Sequence, residues 1–194
     1  MTYPLPPTRL HWHRYSGRLS SIVCLGAALL PTSTLPAANA SDAVHTAGDV
    51  LQFVLPATAA GLTVGYWDGK GALQLLKSEA LTLGVTYTLK YTVQETRPNG
   101  GSQSFPSGHT SVSFSAAEFM RKRYGWEYGI PAYAAASFVA YSRVESGQHH
   151  PQDVIAGAGI GILSSYIFTR PYKGWHIQVE GDSKYVGFQL SRKW

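Results

Sequence analysis

The chain has 194 residues and a single cysteine, Cys24. That count excludes an internal disulfide, and with it the stapled scaffolds of small secreted domains and Cys-ligated metal centres. Charge is scarce too: Asp, Glu, Lys and Arg together make up 14% of the chain, and only 11 residues are acidic. Blocks of like charge, low-complexity tracts and internal repeats are missing, so an interaction tail or a repeat array is not expected. The most apolar stretch, Leu19 to Leu30, is short for a bilayer span of ~20 residues. Lys77 and Glu79 interrupt the next candidate. What remains is enough apolar material for one domain with one core.

The apolar stretch has a distinctive setting. Arg9, Arg14 and Arg18 precede it, and Pro31 to Pro36 and then Ala38-Asn39-Ala40 follow. A positive flank, an apolar middle and a small-x-small site identify residues 1–40 as a secretory signal peptide, with cleavage after Ala40; an uncleaved anchor is the alternative. The leader holds three Arg and no acid, so its removal takes the formal charge from +5 to +2. The basic pI therefore belongs largely to the leader and gives no reason to expect a nucleic-acid partner. Cys24 leaves with it. The reading is of an exported protein, periplasmic or in the cell envelope, with a thiol-free mature chain.

From Ser41 the pattern is helical. Ser41–Gly48 reads as a polar lead-in, and Asp49–Tyr66 as an apolar helix that Pro56 kinks or delays. Ala72–Val93 is a second helix, with Leu73, Leu76, Ala80, Leu83, Tyr87 and Lys90 on one stripe. A third starts near Ser107 and ends at Arg121-Lys122-Arg123, after which Gly125–Gly129 turns the chain. Ile130–Tyr141 is a fourth and Pro151–Ile167 a fifth, with Gly157, Ala158, Gly159 and Gly161 leaving one side smooth for a close neighbour. Glu95–Phe105 and Ser142–His150 read as polar loops. The last segment, 173–194, alternates with period two around Glu180-Gly181-Asp182-Ser183, a β-hairpin signal. The expected fold is mainly α, a bundle of about five helices (41–172) with a small C-terminal β-hairpin.

Three short clusters carry chemistry. Lys90 and Arg97 flank the end of the second helix, and Arg143 comes from the other loop. A phosphate monoester carries nearly two charges, and guanidinium groups offer it a planar donor fork. Pro106-Ser107-Gly108-His109 opens a helix, where unpartnered N–H groups and the dipole favour an anion and Gly108 lets it approach the backbone. His149 and Asp153 are four residues apart at another helix start. An Asp on one ring nitrogen fixes the tautomer and leaves the other free to attack. Taken singly, each residue has a plainer reading as a helix cap or a surface charge.

The order and spacing resemble a known pattern: Lys, six residues, Arg-Pro; Pro-Ser-Gly-His; Ser-Arg, five residues, His, three residues, Asp. On Lys90 through Arg97-Pro98, Pro106 to His109, and Ser142-Arg143 through His149 to Asp153, the chain is similar to the type 2 phosphatidic acid phosphatase superfamily. That superfamily includes lipid phosphate phosphatases, bacterial non-specific acid phosphatases and vanadium haloperoxidases. The resemblance implies a phosphatase in which Lys90, Arg97, Ser107, Gly108 and Arg143 bind phosphate. His149 is the nucleophile that becomes a phosphohistidine, Asp153 orients it, and His109 is the general acid and then base. No cofactor or metal is implied. His150 falls outside the register and reads as a rim group. The implied partner is a phosphorylated lipid or a small phosphomonoester, with a membrane surface beside it. A vanadate-dependent haloperoxidase, a phosphatase of soluble monoesters, a hydrolase with a metal held by His109, His149, His150 and Asp153, and a non-enzymatic envelope protein are the rival readings.

Overall fold

The computed structural model describes residues 40–172 and the backbone of 175–182 and 185–192; the expected signal peptide lies outside the described residues. Five helices follow in order: α1 Ala40–Gly65, α2 Gly69–Thr92, α3 Gly108–Tyr124, α4 Trp126–Glu145 and α5 Pro151–Phe168. The backbone of Trp175–Asp182 (β1) pairs antiparallel with that of Tyr185–Arg192 (β2), with Trp175 opposite Arg192 and Asp182 opposite Tyr185. The helices and the loops that join α2 to α3 and α4 to α5 position the site.

Helix α3 is the hub and packs against each of the other four helices. Its Ala116, Ala117, Phe119, Met120 and Tyr124 form the apolar core with Leu55 and Ala59 of α1, Leu75 of α2, and Ala132 and Ala136 of α4. Helix α5 reaches α3 through glycine. A Cβ at Gly157 would lie 2.6 Å from the Ser107 carbonyl oxygen, and one at Gly161 would lie 2.2 Å from that of Ser111. The smooth side expected of α5 is therefore real at these two positions, whereas Gly159 faces open space.

Helix α2 is turned opposite to the usual amphipathic rule. It buries Ser78, Thr82, Thr86 and Lys90, while Leu73, Leu76, Leu83 and Tyr87 of its apolar stripe are exposed. The inward hydroxyls find local partners: Ser78 donates to the Gln74 carbonyl, Thr82 to that of Ser78, and Thr86 pairs with Ser111 of α3. Small polar residues inside and leucines outside are the arrangement expected where apolar lipid replaces water around helices.

The end of the bundle away from the α2–α3 connection is tied by charge. Asp68 caps α2 by accepting from the Gly71 N–H at 2.9 Å. It also receives both Nε and Nη2 of Arg123, at 2.7 and 2.5 Å, and the Tyr124 hydroxyl. Such a buried carboxylate keeps its charge because every lone pair is used.

Three boundaries differ from the expectation by four residues or more, and α2 begins three residues early, at Gly69. Helix α1 begins at Ala40 rather than Asp49, because its first turns dock on α4. Helix α4 starts at Trp126, since one residue, Gly125 at φ 118°, suffices for the reversal. It also runs on to Glu145, so Ser142 and Arg143 occupy a final helical turn and not a loop.

Candidate active site

The two loops expected to carry the site meet where α2 ends and α3 and α5 begin. Arg97 Nη1 donates to Gln148 Oε1 at 2.9 Å, and the Asn99 N–H donates to the Gly147 carbonyl. The Ser107 N–H donates to the carbonyl of Asp153. A cleft of about 630 Å³ opens beside this junction, and Lys90, Arg97, Gly108, His109 and His149 line it together. Residues from three separate clusters thus face one space.

Lys90 is buried and donates from Nζ to the Gln103 carbonyl at 2.7 Å. Burial, and next the Arg97 charge, push its pKa down to about 8. His149 is 3% exposed. Burial together with Lys90 and Arg97 lowers its pKa to about 4, so the ring is a neutral imidazole at physiological pH. Its Nδ1 lies 3.5 Å from Asp153 Oδ2. Asp153 is fully buried at the start of α5, where the same Oδ2 accepts from the Ser104 hydroxyl at 2.5 Å and the His150 N–H at 2.8 Å. The other oxygen, Oδ1, and His149 Nδ1 are both buried without a hydrogen bond.

His109 also has its pKa lowered to about 4, first by burial and then by the Arg143 guanidinium, against the opposing pull of Asp49. Its Nε2 is 3.1 Å from Asp49 Oδ1. The same oxygen accepts from Arg143 Nη1 at 2.6 Å, while Arg143 Nη2 donates to the His45 carbonyl at 2.7 Å. Burial pushes the Asp49 carboxyl up, but the Arg143 hydrogen bond and charge outweigh it and hold the pKa below the usual carboxylate range.

Two expected phosphate ligands stand differently from the cleft-lining five. Arg143 is 1% exposed and lies behind the cleft lining, meeting His109 only through the shared Asp49 Oδ1. Ser107 is fully buried and N-caps α3, its oxygen paired with Thr110. The capping alternative is what its hydroxyl does here. His150 lies outside the cleft lining, with Nε2 3.1 Å from the Thr96 carbonyl.

Asp49, His45 and Gly48 escaped the sequence reading. Asp49 sits in a stretch that looks like frame, with no motif around it. A Cβ at Gly48 would come within 1.9 Å of Ser142 Oγ, so glycine there permits the contact. The one available signal was an isolated Asp at the head of an apolar helix.

The comparisons follow this geometry. The profile of the PAP2 superfamily matches residues 71–176. The chain belongs to the PAP2 superfamily. A lipid A 4'-phosphatase from Helicobacter pylori is 32% identical over 171 residues, covering 81% of this chain and 86% of the relative. Among solved structures, the fold is shared with Aquifex aeolicus LpxE, at TM-score 0.52 and 21% identity over 66% of this chain and 90% of that one. It is shared too with a PAP2-type phosphatidylglycerolphosphate phosphatase from Bacillus subtilis, at TM-score 0.53 and 24% identity over 66% and 72%. In PAP2 terms, helix α1 lies outside the matched region, yet Asp49 brings it into contact with two of the motif residues.

Proposed function

We propose that this PAP2 protein is a cell-envelope phosphatase that removes phosphate from a lipid through a phosphohistidine on His149. The observation that carries the reading is the shared cleft, in which two neutral imidazoles face fixed cations beside a helix N-terminus. Lys90, Arg97, Arg143 and the first amides of α3 at Gly108 neutralise the phosphoryl oxygens, whose charge spreads in the transition state. With Asp153 near Nδ1, the proton rests there and Nε2 is the attacking atom. The N–P bond forms as the bond to the leaving oxygen breaks, and Asp153 stabilises the cationic phosphoimidazole. Ser107 fixes the helix start.

An alkoxide leaves poorly without a proton, which His109 supplies. In the empty site burial and Arg143 keep His109 unprotonated; a bound phosphate offsets the cation and lets the ring take a proton. His109 then removes a proton from water, which attacks phosphorus and breaks the N–P bond. The products are the dephosphorylated alcohol and inorganic phosphate.

Lipid is favoured over a soluble monoester by the exposed leucines of α2 and by Phe53, Ile130, Ile155, Leu163 and Ile167, these last five more than half exposed. Such surface belongs against a membrane. Helix α1 from Ser41 to Gly65 is long and apolar enough to cross one. Similarity to a lipid A 4'-phosphatase makes a phosphorylated glycolipid the leading substrate class. Export by the expected leader puts the site in the envelope. The test is release of inorganic phosphate from lipid A, polyprenyl phosphate and p-nitrophenyl phosphate by the wild type and His149→Ala, with rapid quench for an acid-labile, base-stable phosphoenzyme. Loss of release and of the phosphoenzyme in His149→Ala is expected; unchanged turnover would overturn the reading. A preference for the soluble ester would reassign the substrate.

A further inference from the structure

Beyond the motif residues, the cleft holds one acid with no part in this chemistry. Glu79 of α2 lines it along with Leu83, Thr86, Tyr87 and Lys90 of the same helix. Eleven positions separate Glu79 from Lys90, about 16 Å along the axis at ~1.5 Å per residue. Outside the motif residues the lining is mainly apolar, with Phe53 and Pro56 from α1, Leu83 from α2 and Val112 from α3, next to Gln52, Thr86 and Gln103. The cleft therefore runs along α2 from a cationic end to an apolar end that contains one carboxyl.

Both Glu79 oxygens are buried and form no hydrogen bond. The other buried acids show what a structural carboxylate looks like in this protein. Asp68 is saturated by Arg123, Tyr124 and Gly71, and Glu118 by Arg121 and Tyr133. Asp153 Oδ2 accepts two hydrogen bonds. Burial raises the Glu79 pKa to about 7, against the opposing pull of the Ser115 hydroxyl of α3. A carboxyl kept there has a cost in stability that a leucine would not have.

We propose that Glu79 is a specificity-determining residue that hydrogen-bonds a hydroxyl or amide on the leaving group, at the end of the cleft remote from the phosphate. The inference rests on the phosphatase reading above and narrows its substrate to lipids with a hydrogen-bonding headgroup, such as an acylated amino sugar. Glu79 lines the cleft, where its carboxyl accepts from a hydroxyl or amide and, when protonated, also donates. A polyprenyl phosphate offers nothing there and leaves the acid unpaired, which is how polar sites reject apolar analogues.

The experiment measures kcat/KM for the wild type, Glu79→Met and Glu79→Gln, on phosphorylated lipid A and on undecaprenyl phosphate in the same detergent. The ratio of the two values is read, because it does not depend on the fraction of protein folded. The wild type should prefer lipid A. Glu79→Met should lower that preference by about tenfold or more, with undecaprenyl phosphate unchanged or faster, and Glu79→Gln should keep the preference within about threefold. An unchanged ratio in Glu79→Met overturns the proposal while leaving the phosphatase reading intact. If Glu79→Met cannot be produced folded, an unchanged ratio in Glu79→Ala, or a wild type with no preference, overturns it equally. A wild type that releases phosphate from neither lipid overturns both.

Discussion

Replacing Asp49 by Asn separates two jobs that one carboxylate does. Asp49 Oδ1 accepts from Arg143 and touches His109 at 3.1 Å; Asn has the same shape without the charge. Arg143 is 1% exposed and would lose its only carboxylate partner among the described ion pairs. Breaking a buried pair costs about 3–5 kcal/mol. Asp49 is 38% exposed, and solvent screening reduces this to about 1–2 kcal/mol. In the proposed mechanism the catalytic effect runs through His109. Asp49 pulls its pKa up, so without the charge a smaller fraction of the rings carries the proton that the leaving oxygen needs. General acid catalysis is worth ~10²–10⁴ in rate, and a partly screened positioning charge should account for a drop of about 10–100-fold in kcat. The assay compares a lipid phosphate, whose alkoxide needs a proton, with p-nitrophenyl phosphate, whose phenolate does not. Asp49→Asn should slow the first by that factor and the second by less than about threefold. Equal losses on both would show that Asp49 acts only by holding Arg143, and would refute its link to the acid.

Lys90, with its pKa near 8, loses its proton as pH rises through that value, so phosphate affinity should fall and KM rise above about pH 8. Lys90→Arg should remove this alkaline limb up to about pH 10, because guanidinium stays charged; pH profiles of kcat/KM decide it. Gly157→Ala places a methyl 2.6 Å from the Ser107 carbonyl, whereas Gly159→Ala meets nothing. The first should destabilise by about 1–3 kcal/mol, and the second should be neutral or stabilising by up to ~1 kcal/mol, as read from thermal melts. Arg123→Met strands the Asp68 carboxylate and should cost about 3–5 kcal/mol in denaturant unfolding, with kcat of the folded fraction unchanged.

The residues proposed for the site are grouped locally in the sequence. His149 and Asp153 are four positions apart, Ser107 to His109 are contiguous, and short separations on a helix start set geometry without help from the rest of the chain. Helix number and order were legible for the same reason, since Pro151, Gly125 and the polar loops mark boundaries by backbone chemistry alone. Which face of α2 turns inward was not: periodicity marks a stripe but gives no sign of what lies outside it, and here Ser78, Thr82 and Thr86 go in while the leucines go out. Nor was α1's part in the site. Asp49 and Arg143 are 94 positions apart, and their contact exists only because Gly48 lets α1 settle on the last turn of α4. A sequence states which groups are available for catalysis. The pairing of an acid with a distant cation, and the placing of Glu79 in the cleft, depend on how helices pack, which no local pattern encodes.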